Sequence, residues 1–371
     1  MPVTLETAAP ALVRAFDLLI APEAATVVRT GAKRRRSLRA LAGFLVALVG
    51  LNAALAMILE AGPADLRDPE YGLRLRALRE RRREHPQRGL TVVLGSSRTA
   101  MGVRPDVYEA TLDDPADAPM LFNMSMAGAG PVLQLMTLER LLIDGVRPDA
   151  VLLEFWPALL RGDGSYREDL RVNAERLRTA DGPVVDGFFS DPEATRTRMR
   201  RSRVLPVWYH RREFLDRHWP EAVPWNERTD GAWAPLDGWG WLPGRKTVTA
   251  EQTERGWPKV AEFYGPLFQG YEVAPFADRA LRTCLARCRE LGIAVSLLAL
   301  PESARFRTLM TADAIRLSDE YRQRLQRECG VPLIDGRGWA DDGALPDGFH
   351  LMQDGATRFT QELAGRVAPR R

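Results

Sequence analysis

Apolar positions along this chain fall into short runs separated by longer stretches at helical spacing. Thr91-Val92-Val93-Leu94, Met120-Leu121-Phe122-Asn123, Ala150–Phe155, Ile293–Leu300 and Val331–Ile334 are brief apolar runs, and they predict buried strands. Between and after them, Val132–Ile143, Phe276–Leu291, Ala312–Glu328 and Asp354–Val367 carry apolar side chains on one helical face. Strands alternating with helices predict an α/β fold with a mostly parallel sheet covered on both faces. From Leu160 to Ala274 the alternation lapses. Gly and Pro are interspersed there with Trp208, Trp219, Trp225, Trp233, Trp239, Trp241 and Trp257, so residues 160–275 read as an insertion or lid. Indole faces stack on sugar rings, which makes Trp239 and Trp241 candidates for a carbohydrate groove. A Trp-rich local core is the alternative.

One stretch departs from the soluble pattern. Ala40 to Leu59 is 20 residues without a charge, and about 20 such residues cross a bilayer as a helix. Six basic residues precede it closely (Arg29, Lys33, Arg34, Arg35, Arg36 and Arg39), against Arg67 and Arg74 after it. That bias puts the amino terminus in the cytoplasm and the rest of the chain across the membrane. A cleaved signal peptide is the other reading. The basic region and apolar core are both longer than such peptides carry, which favours a retained anchor. The expected organisation is a cytoplasmic segment (1–37), a transmembrane helix (38–60), a stalk or linker (61–89) and an α/β domain (90–371). Within the first segment, Leu12, Val13, Phe16, Leu19 and Ile20 are spaced as a short amphipathic helix. In the third, Arg-rich Tyr71–Glu84 predicts a stalk helix with a solvated or headgroup-facing basic side.

Composition narrows the partners. With 52 basic and 49 acidic residues the net charge is +3, which gives no argument for a nucleic-acid partner. Cys284, Cys288 and Cys329 have no zinc spacing, so they are either buried thiols or supply one bridge to Cys329. No metal or organic cofactor is implied.

The candidate chemistry begins at the end of the first strand. In Gly95-Ser96-Ser97-Arg98 a small turn lets a hydroxyl stand clear of the backbone, at the sheet edge where α/β proteins bind ligands. A serine nucleophile needs a base, and the chain has four histidines: His85, His210, His218 and His350. His350 lies in Leu345-Pro346-Asp347-Gly348-Phe349-His350, just before the last helix. An Asp three residues ahead of it can fold back onto the ring, orient it and stabilise its charged form. Arg98 is either a structural ion-pair partner or a contact for a substrate carboxylate.

A Gly-x-Ser turn after the first strand, a Gly-bearing loop after the second and Asp-x-x-His before the last helix resemble the SGNH, or GDSL-type, hydrolase superfamily. The resemblance implies a flavodoxin-like three-layer fold, with Ser97 as nucleophile, His350 as base and Asp347 as its orienting acid. It covers roughly 91–160 and 276–367 and leaves the insertion out. Asn123-Met124-Ser125-Met126-Ala127-Gly128 is similar to the second block, which implies an oxyanion hole from the amides of Ser97 and Gly128. Ser96 replaces the usual Asp. The third strand is followed by Glu154-Phe155-Trp156-Pro157-Ala158, without the Asn that the family places there, so Asn123 or Ser125 is the candidate for the remaining donor. With its Gly-Ser-Ser-Arg turn the chain more closely resembles membrane-anchored members that act beside membrane-bound O-acyltransferases in alginate and other exopolysaccharide acetylation. That implies an acyl-serine on Ser97, a cell-surface polysaccharide or acylated glycan as substrate, and an inner-membrane anchor with a periplasmic catalytic domain. The reading is an esterase or an acyltransferase. The alternative is a catalytically degenerate glycan-binding or assembly subunit, which the missing Asn favours.

Overall fold

Each predicted strand forms where its apolar run stands, because both faces of the sheet are covered and a run without alternation can be buried on both. The computed structural model describes residues 31–161 and 168–367. The amphipathic helix expected around Leu12–Ile20 lies outside them. The strands are β1 (Leu90–Leu94), β2 (Met120–Asn123), β3 (Ala150–Glu154), β4 (Ala294–Ala299) and β5 (Leu333–Asp335). All pair in parallel, in the order β2-β1-β3-β4-β5, which is the flavodoxin-like order. The helices used below are α1 (Gly31–Ala61), α2 (Pro69–Glu84), α3 (Ser97–Gly102), α4 (Pro105–Thr111), α5 (Pro131–Ile143), α6 (Pro192–Val204), α7 (Arg211–His218), α8 (Ala250–Tyr264), α9 (Pro275–Glu290), α10 (Ala312–Cys329) and α11 (Gln353–Val367).

Neighbouring strand residues point to opposite faces, and the two cores separate accordingly. Val92, Phe122, Val151 and Leu297 face one layer, with Leu75 and Leu78 of α2, Leu133 and Leu141 of α5, and Leu281 and Cys284 of α9. Val93, Leu121, Leu152 and Leu298 face the other, with Ala356, Phe359 and Leu363 of α11 and Tyr108 of α4. A third cluster joins Trp156 beyond β3 to Phe268, Phe306 and Phe349.

By its internal packing the chain divides into two units, Met1–Leu51 and Asn52–Arg371. The described part of the first is the apolar helix α1, whose last turns belong to the second. Over Arg34–Ala61 the helix is long and apolar enough to cross a membrane, with a mean hydropathy of 2.3 in its most apolar window, a property shared by anchors and signal sequences.

The segment expected to be a stalk is different. Asp68 caps α2 by accepting the Tyr71 amide at 3.3 Å, with Pro69 at the first helical position. Tyr71, Leu75 and Leu78 then enter the core and Arg74 is fully buried, donating to the carbonyls of Glu70 at 3.0 Å and Gly240 at 3.3 Å. The Leu residues scattered among the arginines are thus core contacts of the α/β unit, and the helix is not a free spacer.

The insertion contains no strand among its described residues; α6, α7 and α8 are its longer elements. Its Gly-Trp-Gly-Trp run lies along the outer strand β2. The Asn123 amide donates to the Trp239 carbonyl at 3.1 Å and the Leu242 amide to Ala100 O at 3.0 Å. Gly240 has φ of +79°, and a Cβ there would sit 2.1 Å from Asn123 O, so only glycine fits. The run closes an edge that would otherwise expose unpaired backbone.

Candidate active site

β1 ends at Leu94, and the chain turns through Gly95 and Ser96 into α3, whose first residue is Ser97. Ser96 caps that helix: its Oγ accepts the Arg98 amide at 3.2 Å. The turn is closed from below by Glu154, at the end of β3. Its Oε2 accepts the Ser96 amide at 2.5 Å and the Thr99 hydroxyl at 3.2 Å. A Cβ on Gly95 would fall 2.5 Å from that oxygen and 2.4 Å from Thr99 Oγ1, which is why glycine stands there. The last residue of β3 is therefore a buried carboxylate that braces the serine turn. Sequence reading passed over it, although an acid ending an otherwise apolar strand was the available signal.

Ser97 is half-buried, and its Oγ lies 2.7 Å from His350 Nε2. On the far side of the ring, Nδ1 is 2.7 Å from Asp347 Oδ2. The other carboxylate oxygen accepts the amides of His350 at 2.8 Å and Phe349 at 3.2 Å, so the loop is folded onto its own acid. Burial acts to raise the Asp347 carboxyl, but its hydrogen bond to His350, the imidazole charge and the two amides outweigh that and hold it below the ordinary carboxylate range. Phe349 anchors the loop between His350 and the third cluster, 5.5 Å from Trp156 and 5.3 Å from Phe306, measured between ring centres. Chain order leaves Ser97 and His350 far apart; the parallel sheet brings them to one edge.

Arg98 is enclosed by the fold. It is 1% exposed. Its guanidinium donates to Leu300 O at 3.0 Å, Pro301 O at 2.9 Å and Phe349 O at 3.3 Å, and it lies 4.3 Å above the Trp156 ring. It stands 3.7 Å from Glu154, which makes it the ion-pair partner of the two readings. The arginine ties the serine turn to the end of β4 and to the histidine loop.

Asn123 and Ser125 do not supply an oxyanion donor. Asn123 is fully buried, with Nδ2 donating to Thr99 O at 2.9 Å and Val103 O at 2.8 Å, and Oδ1 accepting the Ser125 amide at 3.1 Å. Ser125 Oγ donates to Val93 O at 3.4 Å. Gly128 sits in the turn after β2, with φ of +74°. Carboxylates hold the amides around it. Glu70 accepts from Ala127 at 3.0 Å, and Glu168 accepts from Gly130 at 2.7 Å, Val132 at 2.8 Å and Leu133 at 3.2 Å. Burial pushes the Glu168 carboxyl up to about 7 against the pull of those three amides.

The proposed carbohydrate tryptophans serve the fold. Trp241 is buried and its Nε1 donates to Met101 O at 2.7 Å, while Trp239 is half-buried under the Arg81 guanidinium, 5.0 Å from its ring. Of the other histidines, His210 is buried in the insertion, and burial with Arg67 and Arg176 holds it down to about 4. The insertion does reach the Asp347–His350 loop. A cleft of about 250 Å³ is lined by Met101, Pro243, Arg245, Asp347, His350 and Met352. Among the described residues no group of three or more His, Cys, Asp or Glu could hold a metal ion.

Residues 73–175 match the family DUF1574, described as a protein of unknown function. No curated protein matches the chain. Among solved structures it is similar to the lipase/acylhydrolase from Enterococcus faecalis, at 14% identity, covering 76% of this chain and 99% of that one, with a TM-score of 0.33.

Proposed function

We propose that this chain is a membrane-anchored serine esterase or acyltransferase acting on O-acyl groups of a cell-surface polysaccharide, through an acyl-serine on Ser97. The observation that carries it is the unbroken path from Ser97 Oγ through His350 to Asp347, with both bonds at 2.7 Å. Ser97 Oγ attacks the acyl carbonyl carbon while His350 Nε2 takes the hydroxyl proton. Asp347 keeps Nδ1 protonated and stabilises the imidazolium. The carbonyl oxygen becomes an oxyanion. The Ser97 amide faces it, since the first residue of a helix has no intrahelical carbonyl to reach; Gly128 is the candidate for a second donor. Collapse expels the alcohol, which receives the proton from His350. Water then attacks the acyl-serine, with His350 again as base, and the acid is released; a glycan hydroxyl in place of water makes the reaction a transfer. A membrane-bound O-acyltransferase is the partner that would supply acyl groups to such a site. In this reading α1 is a retained anchor and the second unit is extracytoplasmic.

The test is mass spectrometry of the full-length protein after exposure to an activated acyl ester. The expected result is an acyl adduct on the Ser97 peptide, and ester hydrolysis that falls on the order of 10⁴-fold or more in Ser97→Ala. The commitment of Asn123 Nδ2 to Thr99 and Val103 favours a second reading, a non-catalytic glycan-binding subunit. Equal rates for wild type and Ser97→Ala, with no adduct, would remove the enzyme reading and leave this one standing.

A further inference from the structure

Outside α1, the exposed large apolar side chains concentrate in one part of the insertion: Val204, Leu205, Val207, Trp208, Phe214, Trp219 and Trp225, with Trp225 83% and Trp208 61% exposed. They occupy the end of α6, the connection to α7, and α7 with the turns after it. A monomeric soluble protein rarely leaves so many together without a partner. Their setting indicates the partner. A cavity of about 500 Å³ is walled on one side by Leu55, Ile58 and Leu59 of the apolar helix and on the other by Val207, Phe214 and His218. The patch is therefore continuous with the last turns of the helix proposed to cross the bilayer. Arg67 fixes that junction, donating to Leu59 O at 3.3 Å, Leu177 O at 3.3 Å and Glu60 at 2.5 Å. Exposed Arg198, Arg200, Arg201 and Arg211 flank the patch, the last 3.9 Å from the Trp208 ring. Indole rings among basic side chains, beside the end of an apolar helix, have the composition of a surface that lies in the headgroup layer.

We infer that Val204–Trp225 is a lipid-binding surface, which enters the interface of an anionic bilayer next to the exit of α1 and holds the catalytic unit against the membrane. This rests on the reading of α1 as a retained anchor. The tryptophans and apolar side chains insert below the phosphates, and the arginines pair with anionic headgroups. Trp208, Trp219 and Trp225 thus face lipid, apart from the glycan candidates Trp239 and Trp241.

The experiment uses the full-length chain reconstituted into vesicles of phosphatidylcholine and phosphatidylglycerol, with the phosphatidylcholine brominated near the headgroup end of its chains. Alkaline carbonate extraction first asks whether α1 is integral. Bromine quenching of tryptophan emission is then compared between wild type and the triple variant W208F/W219F/W225F, whose thermal midpoint serves as the folding control. The expected result is retention on carbonate, with quenching at least about twofold stronger in wild type because aromatic side chains at the interface lie within reach of the bromines. R198Q/R200Q/R201Q/R211Q should lower quenching in phosphatidylglycerol vesicles and leave it unchanged in pure phosphatidylcholine. Retention with equal quenching in wild type and triple variant overturns the lipid surface alone. Cross-linking between copies through the patch, without quenching, also overturns it and assigns the face to self-association. Release of the wild-type chain by carbonate overturns the anchor and the inference with it.

Discussion

Asp347 does two jobs with its two oxygens, and they are separable by substitution. One oxygen holds the loop amides of His350 and Phe349; the other orients the imidazole. Asn at this position keeps an acceptor for the amides but presents the wrong tautomer to the ring. Asp347→Asn should leave the thermal midpoint nearly unchanged and lower kcat for ester hydrolysis by roughly 10³–10⁴-fold. A loss of stability as large as the loss of rate would mean that the acid is only structural. At this scale the sequence was legible where function is local. Ser97 sits at a strand end, and Asp347 and His350 share one loop, so spacing alone pairs them. Arg98 was left between two roles and Asn123 was misread because their partners are backbone carbonyls from distant segments, Leu300 and Pro301 for one, Thr99 and Val103 for the other. Nothing in a linear pattern marks such carbonyls as neighbours.

The elements around the site are held by buried polar contacts whose cost can be measured. Glu168, from the insertion, sits across the first turn of α5 and bonds three amides there. Its folded-state pKa is raised from 4.5 to about 7, so the native state keeps a proton that the unfolded chain releases. Its contribution to stability is present below pH 4.5 and lost as the pH rises through 7. By linkage this loss is about 3 kcal/mol over that window. Melting curves across it should show the decline in wild type and a flatter profile in Glu168→Gln; parallel profiles would contradict the assignment. Gly240 gives a second test. Gly240→Ala forces a side chain against Asn123 O at a positive φ and should cost about 2–3 kcal/mol in denaturant titrations. The major helices and strands were legible because they are long or strongly apolar. The helix Pro105–Thr111 was not, being short and carrying only two buried residues, Pro105 and Tyr108.

For the whole molecule, the alternation of strands and helices was enough to give a parallel α/β sheet, and the break in alternation marked the insertion. The role of the Trp-rich run was not readable, because covering a sheet edge and lining a groove use the same side chains. The stalk was misjudged for a related reason: Arg74 and Leu75 look exposed in a run of arginines, yet both are buried where α2 meets the sheet. The cysteines close the question left open by their count. Cys284, Cys288 and Cys329 are all free, the first two buried. Reductant should therefore leave the melting midpoint unmoved, and a thiol reagent should titrate all three residues only after denaturation; fewer reactive thiols would reveal a bridge.

The order of the proposed catalytic residues along the chain has a consequence for the protein's birth. The hydroxyl belongs to β1 and α3, among the earliest parts of the sheet to emerge, whereas its base arrives immediately ahead of α11. In the proposed function a nascent chain thus carries its serine without a base until His350 has been made. Competence then waits until α11 docks against α3 and α4, so a chain cut short of His350 stays silent toward esters.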